Sequence, residues 1–498
     1  MATQQNPPQL KKTLSLLGLT INGMALIAPG AFMWLTFQIQ ASQVDPSGVS
    51  TAPDIWTGML LATVLCFFTA ASYAWLARRY PDAGSGSSYY FAQRALLDRG
   101  SSNKTARNAK FVVGWLSHLY YWVYPGVMAA MMGVFITYIL SFAGIVLPGI
   151  TEIAFVTAFA LLVGIIAYLG ITGSTRTNLI VNIAQIVMLV SITAVALAYR
   201  FINPDHLQFY FKNPVDVLIP SSASHLLYQG TIAILCLVGF ESVTALTAEA
   251  KNPRDVPKAI IISLIIQGAF CYLLEYYGMQ AWINSKYTFG AAALSASPVG
   301  DMVIRSVNGV FGGGGFLIMI VVAAVVAAAI LGTTLSCVNT AVRVTYAISK
   351  DSEVPEPLGK LNLRHGTPAI GIWVLTLVTI AIGAFGVLSV SNLSAMTYLS
   401  NFGTFLLYGV TCLIAVYALS REKRSFLSKY VIPVAGLVTN ALMLATVLGL
   451  AIIGGSSTEQ PITIAIAAVA TWFAIGLGYF ALNTRSKKSP LFPFPGGK

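Results

Sequence analysis

The stretch INGMALIAPGAFMW, residues 21–34, puts Ala28-Pro29-Gly30 in the middle of an apolar run long enough to cross a bilayer. Proline has no N–H to give the preceding turn, its ring crowds the carbonyl four residues back, and glycine costs a helix about 1 kcal/mol relative to alanine. Such a run predicts two half-helices with a break between them. Pro29 suits the first position of the second half, where a missing N–H is no loss, and the free N–H groups beside it would attract an anion.

The chain around this stretch has 498 residues, of which 56% are hydrophobic and only 9% charged; soluble domains carry about 25% charged residues. Twelve apolar runs, each close to the roughly 20 residues that span a hydrocarbon core, lie at 14–38, 55–77, 111–142, 150–172, 177–199, 225–248, 258–283, 315–348, 368–390, 394–419, 431–454 and 461–482. The expected class is therefore an all-α polytopic membrane protein of twelve transmembrane helices. No soluble domain fits between the runs. The first run is too long for a signal-peptide core and reads as a retained span.

Assigning the 29 Lys and Arg residues to alternate sides leaves only Arg200, Lys212, Lys286 and Arg305 opposite the N-terminus. Because positive charge collects in cytoplasmic loops, this predicts a cytoplasmic-membrane protein with both tails, 1–13 and 484–498, inside. The net charge of +12 is then a topological signal directed at anionic lipid, and implies no nucleic-acid partner. Cys66, Cys236, Cys271, Cys337 and Cys412 all fall within spans. Neither a disulfide, a thiolate metal site nor a bound cofactor is expected.

A second break is written in the sixth run as VGFES, residues 238–242, with Gly239 two residues before Glu241. Spans one and six are five apart and, by the charge alternation, run in opposite directions. That is the relation of an inverted repeat, 14–200 and 201–420, with 421–483 added as spans eleven and twelve. Paired interruptions at corresponding positions point to a substrate site between them. The plainer alternative is two ordinary kinks whose freed groups are satisfied by neighbouring helices.

An acid inside a membrane is a functional candidate by default. Glu241 would either meet a ligand ammonium, change protonation during a cycle, or cap the backbone freed at Gly239. In HLYYWVYPGVMAAMMG, residues 118–133, Tyr124 abuts Pro125 and is the tyrosine expected to face the site. His118 is expected to satisfy a local carbonyl. Glu275 lies among Tyr and Trp and reads as a solvated interfacial anchor, and Glu249 and Lys251 as loop contacts at the end of span six.

Three blocks resemble the amino acid-polyamine-organocation (APC) permease superfamily: RRYPDAGSGSSYYFAQRAL (78–96), GFESVTALTAEAKNPRDVPKAI (239–260) and CVNTAVRVTYAISKDSEVPEPLGKLNLRHGTPAIGI (337–372). The resemblance covers about Leu14 to Ser420. It implies a LeuT-like fold and a secondary transporter, not an enzyme, moving amino acids by alternating access. On that resemblance the substrate-binding residues would be Leu26, Ile27, Ala28, Pro29, Gly30, Tyr124, Leu235, Val238, Gly239, Phe240 and Glu241, with backbone N–H groups near Ala28 to Gly30 holding a carboxylate and carbonyls near Leu235 to Gly239, together with Glu241, an ammonium. Ala28-Pro29-Gly30 departs from the family's Gly-small-Gly pattern, and Leu235 stands where guanidinium carriers have an aromatic gate.

Coupling candidates are Glu241, Gln185, Thr333, Thr334 and Ser336. A sodium site would use Ala28, Thr333 and Thr334, since a hard cation takes oxygen ligands. Gln185 occupies the place of the span-five lysine of proton-coupled relatives. The alternatives are a polyamine or organic-amine carrier with Glu241 as counter-charge, and a non-transporting membrane subunit or receptor. The partners expected are a small molecule and the lipid bilayer.

Overall fold

The computed structural model describes residues 12–145, 147, 150–170, 175–204, 207–362, 364–423, 425–453 and 456–486. Residues 1–11 of the N-terminal tail and 487–498 of the C-terminal tail lie outside the described residues. Within them the regular structure is helical, and twelve helices are long and apolar enough to cross a membrane. This is an all-α polytopic membrane protein.

Span one is the two half-helices Leu16–Ile27 and Pro29–Ser42. Ser15 caps the first by accepting from the Gly18 N–H at 3.4 Å, and Ala28 ends it in the left-handed region at φ 32°. An alanine pays for that conformation in its Cβ, so the surrounding packing must hold it there. Span six is Ala223–Leu237, an extended Val238, Gly239 at φ +128°, and a single turn Ser242–Ala245. Only glycine visits such a φ without strain.

Span three runs unbroken from Asn103 to Ser141 and passes through Pro125. It begins eight residues before the apolar run at 111, because Ser102 caps a polar first turn by accepting from the Thr105 N–H at 3.2 Å. Span seven changes character midway: Val256–Ser263 is α-helical, Leu264–Tyr272 is wound as a π-helix, and Leu273–Trp282 is α-helical again. Nothing in the apolar periodicity distinguishes that wider winding.

Several neighbouring pairs correspond when spans one to five are exchanged for six to ten. Span one packs on seven as six packs on two; three packs on nine as eight on four; three on ten as eight on five; five on seven as ten on two. Spans eleven and twelve lie outside this exchange. Leu427–Ile453 rests on spans two, six and ten, and Glu459–Leu482 is largely exposed on its outer face. Two short helices, Phe289–Leu294 and Pro298–Phe311, lie against the second half of span one.

Candidate functional site

The two breaks meet. A Cβ built on Gly239 would stand 2.9 Å from Leu26 Cβ and 3.0 Å from its backbone carbon, so the unwound turn of span six lies directly on the last turn of the first half of span one. Leu26, Ile27, Ala28, Leu235, Val238, Phe240 and Glu241 are all fully buried there. Pro29 opens the second half-helix, as its fixed φ favours. Backbone carbonyls left over by the first half are taken by side chains from elsewhere in the bundle. Thr333 Oγ1 donates to Ala25 O at 2.9 Å and the Tyr272 hydroxyl donates to Ile27 O at 3.1 Å.

Glu241 holds the sixth span's break together. Its Oε2 accepts from the Gly239 N–H at 3.0 Å and from the Tyr408 hydroxyl at 2.6 Å. Its Oε1 accepts from the Tyr120 and Tyr121 hydroxyls at 2.9 and 3.3 Å. Ser242 Oγ donates to Gly239 O at 2.6 Å and Thr244 Oγ1 to Glu241 O at 2.6 Å, so the freed backbone is satisfied locally. Of the roles weighed for this acid, the backbone cap is the one drawn in hydrogen bonds. Four donors on two oxygens suit a carboxylate, which only accepts.

Tyr120 and Tyr121 belong to the same tyrosine cluster of span three as Tyr124, while Tyr408, on span ten, carries no local mark. The ring of Tyr124 lies 5.4 Å from that of Phe32, on the second half of span one. Its hydroxyl is buried without a hydrogen-bond partner among the described residues. A buried unpaired hydroxyl is costly and calls for an explanation. Another such group is Gln185 on span five. A Cβ on Gly30 would come within 3.4 Å of Gln185 Oε1, and that oxygen too is buried and unpartnered.

The coupling candidates on span eight divide. Thr333 reaches span one as described, Thr334 bonds back to Ile330 O at 2.7 Å, and Ser336 lines a polar cavity of about 370 Å³. This cavity runs between Asn22, Asn178, Ser242 and Glu249, on the side of the breaks that holds Leu14. No cluster of His, Cys, Asp and Glu able to hold a metal occurs among the described residues. His118 bonds Gly114 O and Thr345 Oγ1, each at 3.0 Å. Glu249 pairs with Arg343 at 2.9 Å and its carbonyl accepts from the Thr13 and Leu14 N–H groups. Both are the local roles expected.

Glu275 is a correction. It is only 2% exposed, and its Oε2 has no hydrogen-bond partner among the described residues. Flanking Tyr and Trp residues suggest an interface, but Tyr276 and Trp282 are themselves buried, because span seven packs between spans two and five.

The opposite end of the bundle is shut. Gln229 Nε2 donates to Gln40 O at 2.9 Å and to Thr51 Oγ1 at 2.8 Å, and His225 Nε2 lies 3.1 Å from Asp45 Oδ2. These bonds tie the end of span one and its 43–51 loop to the start of span six. The site is thus closed toward that loop, with a polar cavity on its other side.

The family model for amino acid permeases matches residues 12–475. The branched-chain amino acid permease BcaP of Bacillus subtilis is 25% identical over 83% of each chain, and that of Lactococcus lactis is 26% identical over 88% of each. The low-affinity putrescine importer PlaP of Escherichia coli is 24% identical over 97% of this chain and 96% of its own. Two broken spans that meet, on a chain matched almost end to end, leave one conclusion: the protein belongs to the amino acid permease family of the APC superfamily and is a multi-pass membrane transporter of amino acids or amines.

Proposed function

We propose that this permease carries amino acids with aliphatic side chains across the cytoplasmic membrane, binding them where the breaks of spans one and six face each other. The observation that carries this reading is the contact of Gly239 with Leu26. It puts the start of the second half-helix of span one and the unwound backbone of span six on the same small volume. The N–H groups at Gly30 and the half-helix dipole would take the substrate carboxylate. Carbonyls at Val238 and Phe240, with the unpaired Tyr124 hydroxyl, would take the ammonium. Leu26, Ile27, Leu235 and Val238 leave an aliphatic wall for the side chain, and the similarity to two branched-chain permeases agrees with it.

Transport would proceed by alternating access of the two five-helix repeats, 14–200 and 201–420, with both tails on the cytoplasmic side. The polar cavity beside Ser242 would be the vestibule on that side, and the Gln40–Gln229–Thr51 tie the closed outer gate.

A second reading, putrescine or a related amine, is favoured by the similarity to PlaP over nearly the whole chain. It needs Glu241 as the counter-charge, and would require the ligand to displace Tyr120 or Tyr408 from the carboxylate. Uptake of labelled leucine into proteoliposomes, competed by excess valine, isoleucine or putrescine, separates the two. Competition by the aliphatic amino acids and none by putrescine is expected; the reverse result would overturn the leading reading.

A further inference from the structure

We propose that Glu275 is the proton-carrying group of the transport cycle, holding a proton while the site is closed and releasing it when movement of spans one and six admits water to its carboxyl. This rests on the transport reading above.

The first support is geometric. Glu275 is 2% exposed at the start of Leu273–Trp282, with Oε2 unpartnered and no ion pair recorded to it among the described residues. Its titratable neighbours along the span are Cys271, Tyr272 and Tyr276, with Cys236 of span six 3.7 Å from the Tyr276 hydroxyl, and none of them is a base. One turn on, Gly278 packs on Thr193 of span five, whose hydroxyl is likewise buried and unpartnered. An ionised carboxyl in such surroundings would have nothing to offset its lost hydration.

Other ionisable groups on the elements packed against this helix are engaged elsewhere. Arg200 of span five gives its guanidinium to the carbonyls of Ala281, Phe211 and Lys212, and Tyr199 lies against Trp282. Asp216, in the turn below, bonds Asn213. On span two, Asp54 is held by Ser221 and lies 3.5 Å from His225, while the Tyr73 hydroxyl accepts from Ser88 Oγ and its ring packs against Tyr408. None neutralises Glu275.

The second support is mechanical. Tyr272, one turn before Glu275, holds Ile27 O at the break of span one. Tyr276, the next residue, donates to Gln40 Oε1 on the second half of span one at 2.8 Å, and lies 3.7 Å from Cys236 Sγ on span six. Both halves of span one, and span six, are therefore tied to the two turns that carry the acid. The π-helical stretch Leu264–Tyr272 ends beside them, and such windings are rare and frequent at functional sites. Movement of the broken helices cannot leave the surroundings of Glu275 unchanged.

Glu241, a second acid inside the spans, is a poor proton carrier, because both its oxygens already accept from two donors each. The carboxylate takes a proton from water on one side, holds it as a neutral acid while access changes, and gives the same proton to water on the other side, one per substrate, with no electron transferred.

The test uses the full chain in sodium-free proteoliposomes with a pH-sensitive dye inside. Wild type should acidify the lumen as leucine enters. Glu275→Gln should lose that signal and the pH dependence of net uptake, yet still exchange internal for external leucine. Leucine exchange by wild type also checks transport itself, so a failed carrier and a failed proton role are distinguishable. Glu275→Gln that acidifies the lumen like wild type, or wild type that takes up leucine without acidification, overturns the proposal. Should Glu275→Gln not fold, Glu275→Asp is read instead: a displaced pH profile supports the role, and a profile matching wild type overturns it.

Discussion

The Tyr408 hydroxyl of span ten lies 2.6 Å from Glu241 Oε2, while the Tyr120 hydroxyl of span three lies 2.9 Å from Oε1. One carboxylate thereby joins the break of span six to both helices that flank it, and the break is fastened rather than loose. Glu241→Gln places an amide group against two donors whichever way it turns, since an amide offers one accepting oxygen where the carboxylate offers two. We expect the unfolding midpoint in detergent to fall by the equivalent of about 1–3 kcal/mol, with most uptake lost. The pH profile of the residual uptake should keep its shape, unlike that of Glu275→Gln. Tyr408→Phe should show the same loss in milder form, and an unaltered midpoint in both would show that the four bonds hold nothing together.

Gly239→Ala tests the meeting of the two breaks. Its φ of +128° is closed to a residue with a Cβ, and that Cβ would press on the backbone of Leu26 at 3.0 Å. Strain of this kind costs about 1–3 kcal/mol, but the larger effect should be on uptake, because the breaks must part for alanine to fit. Gly48→Ala is the control. Gly48 also has a positive φ, 84°, but nothing lies within 4 Å of an added Cβ. It should lose a little stability and keep its uptake; equal loss of uptake in both variants would detach the effect from the site.

Much of this architecture can be read from the chain because the bilayer enforces simple rules: length sets the spans, and Pro29 and Gly239 set the breaks. What cannot be read is any partner brought by tertiary packing. Tyr408 lies 167 residues from Glu241 and sits in an ordinary apolar run, so nothing local marks it as the donor. Glu275 is misread as a solvated anchor for the same reason, since aromatic neighbours look alike at an interface and in a core. The helix of span three continues through Pro125, and the contact that sets Tyr124 against span one is Phe32, which no local pattern marks.

Lys110 shows a second limit of charge counting. Among the inward-facing positive charges it belongs with the surface loops, yet it is fully buried, with Nζ 2.7 Å from Asp351 Oδ2, which also accepts from the Tyr89 hydroxyl at 2.9 Å. The pair ties the base of span three to the end of span eight. Lys110→Met leaves a buried carboxylate without its cation, for which a loss of about 3–5 kcal/mol is usual. Adding Asp351→Asn to it should recover much of that loss in the unfolding midpoint. A double variant as unstable as the single one would mean that packing, not charge, is what Lys110 supplies.

The pH dependence of the closed end follows from Asp45, in the loop after span one. The Ser47 hydroxyl, His225, and the Val49 and Ser47 N–H groups hold its carboxyl below the usual carboxylate range. A group whose pKa is lower folded than unfolded adds stability that is fully present above the unfolded value, near 3.9, and is lost as the pH falls through the folded value. Wild type should therefore hold this contribution unchanged from neutral pH down to roughly pH 5 and begin to shed it only below about pH 4. Asp45→Asn should unfold at a lower temperature than wild type at neutral pH, and the gap should narrow as acid is added. A gap that stays constant from neutral to strongly acid solution would mean that the loop gains nothing from the ionised form.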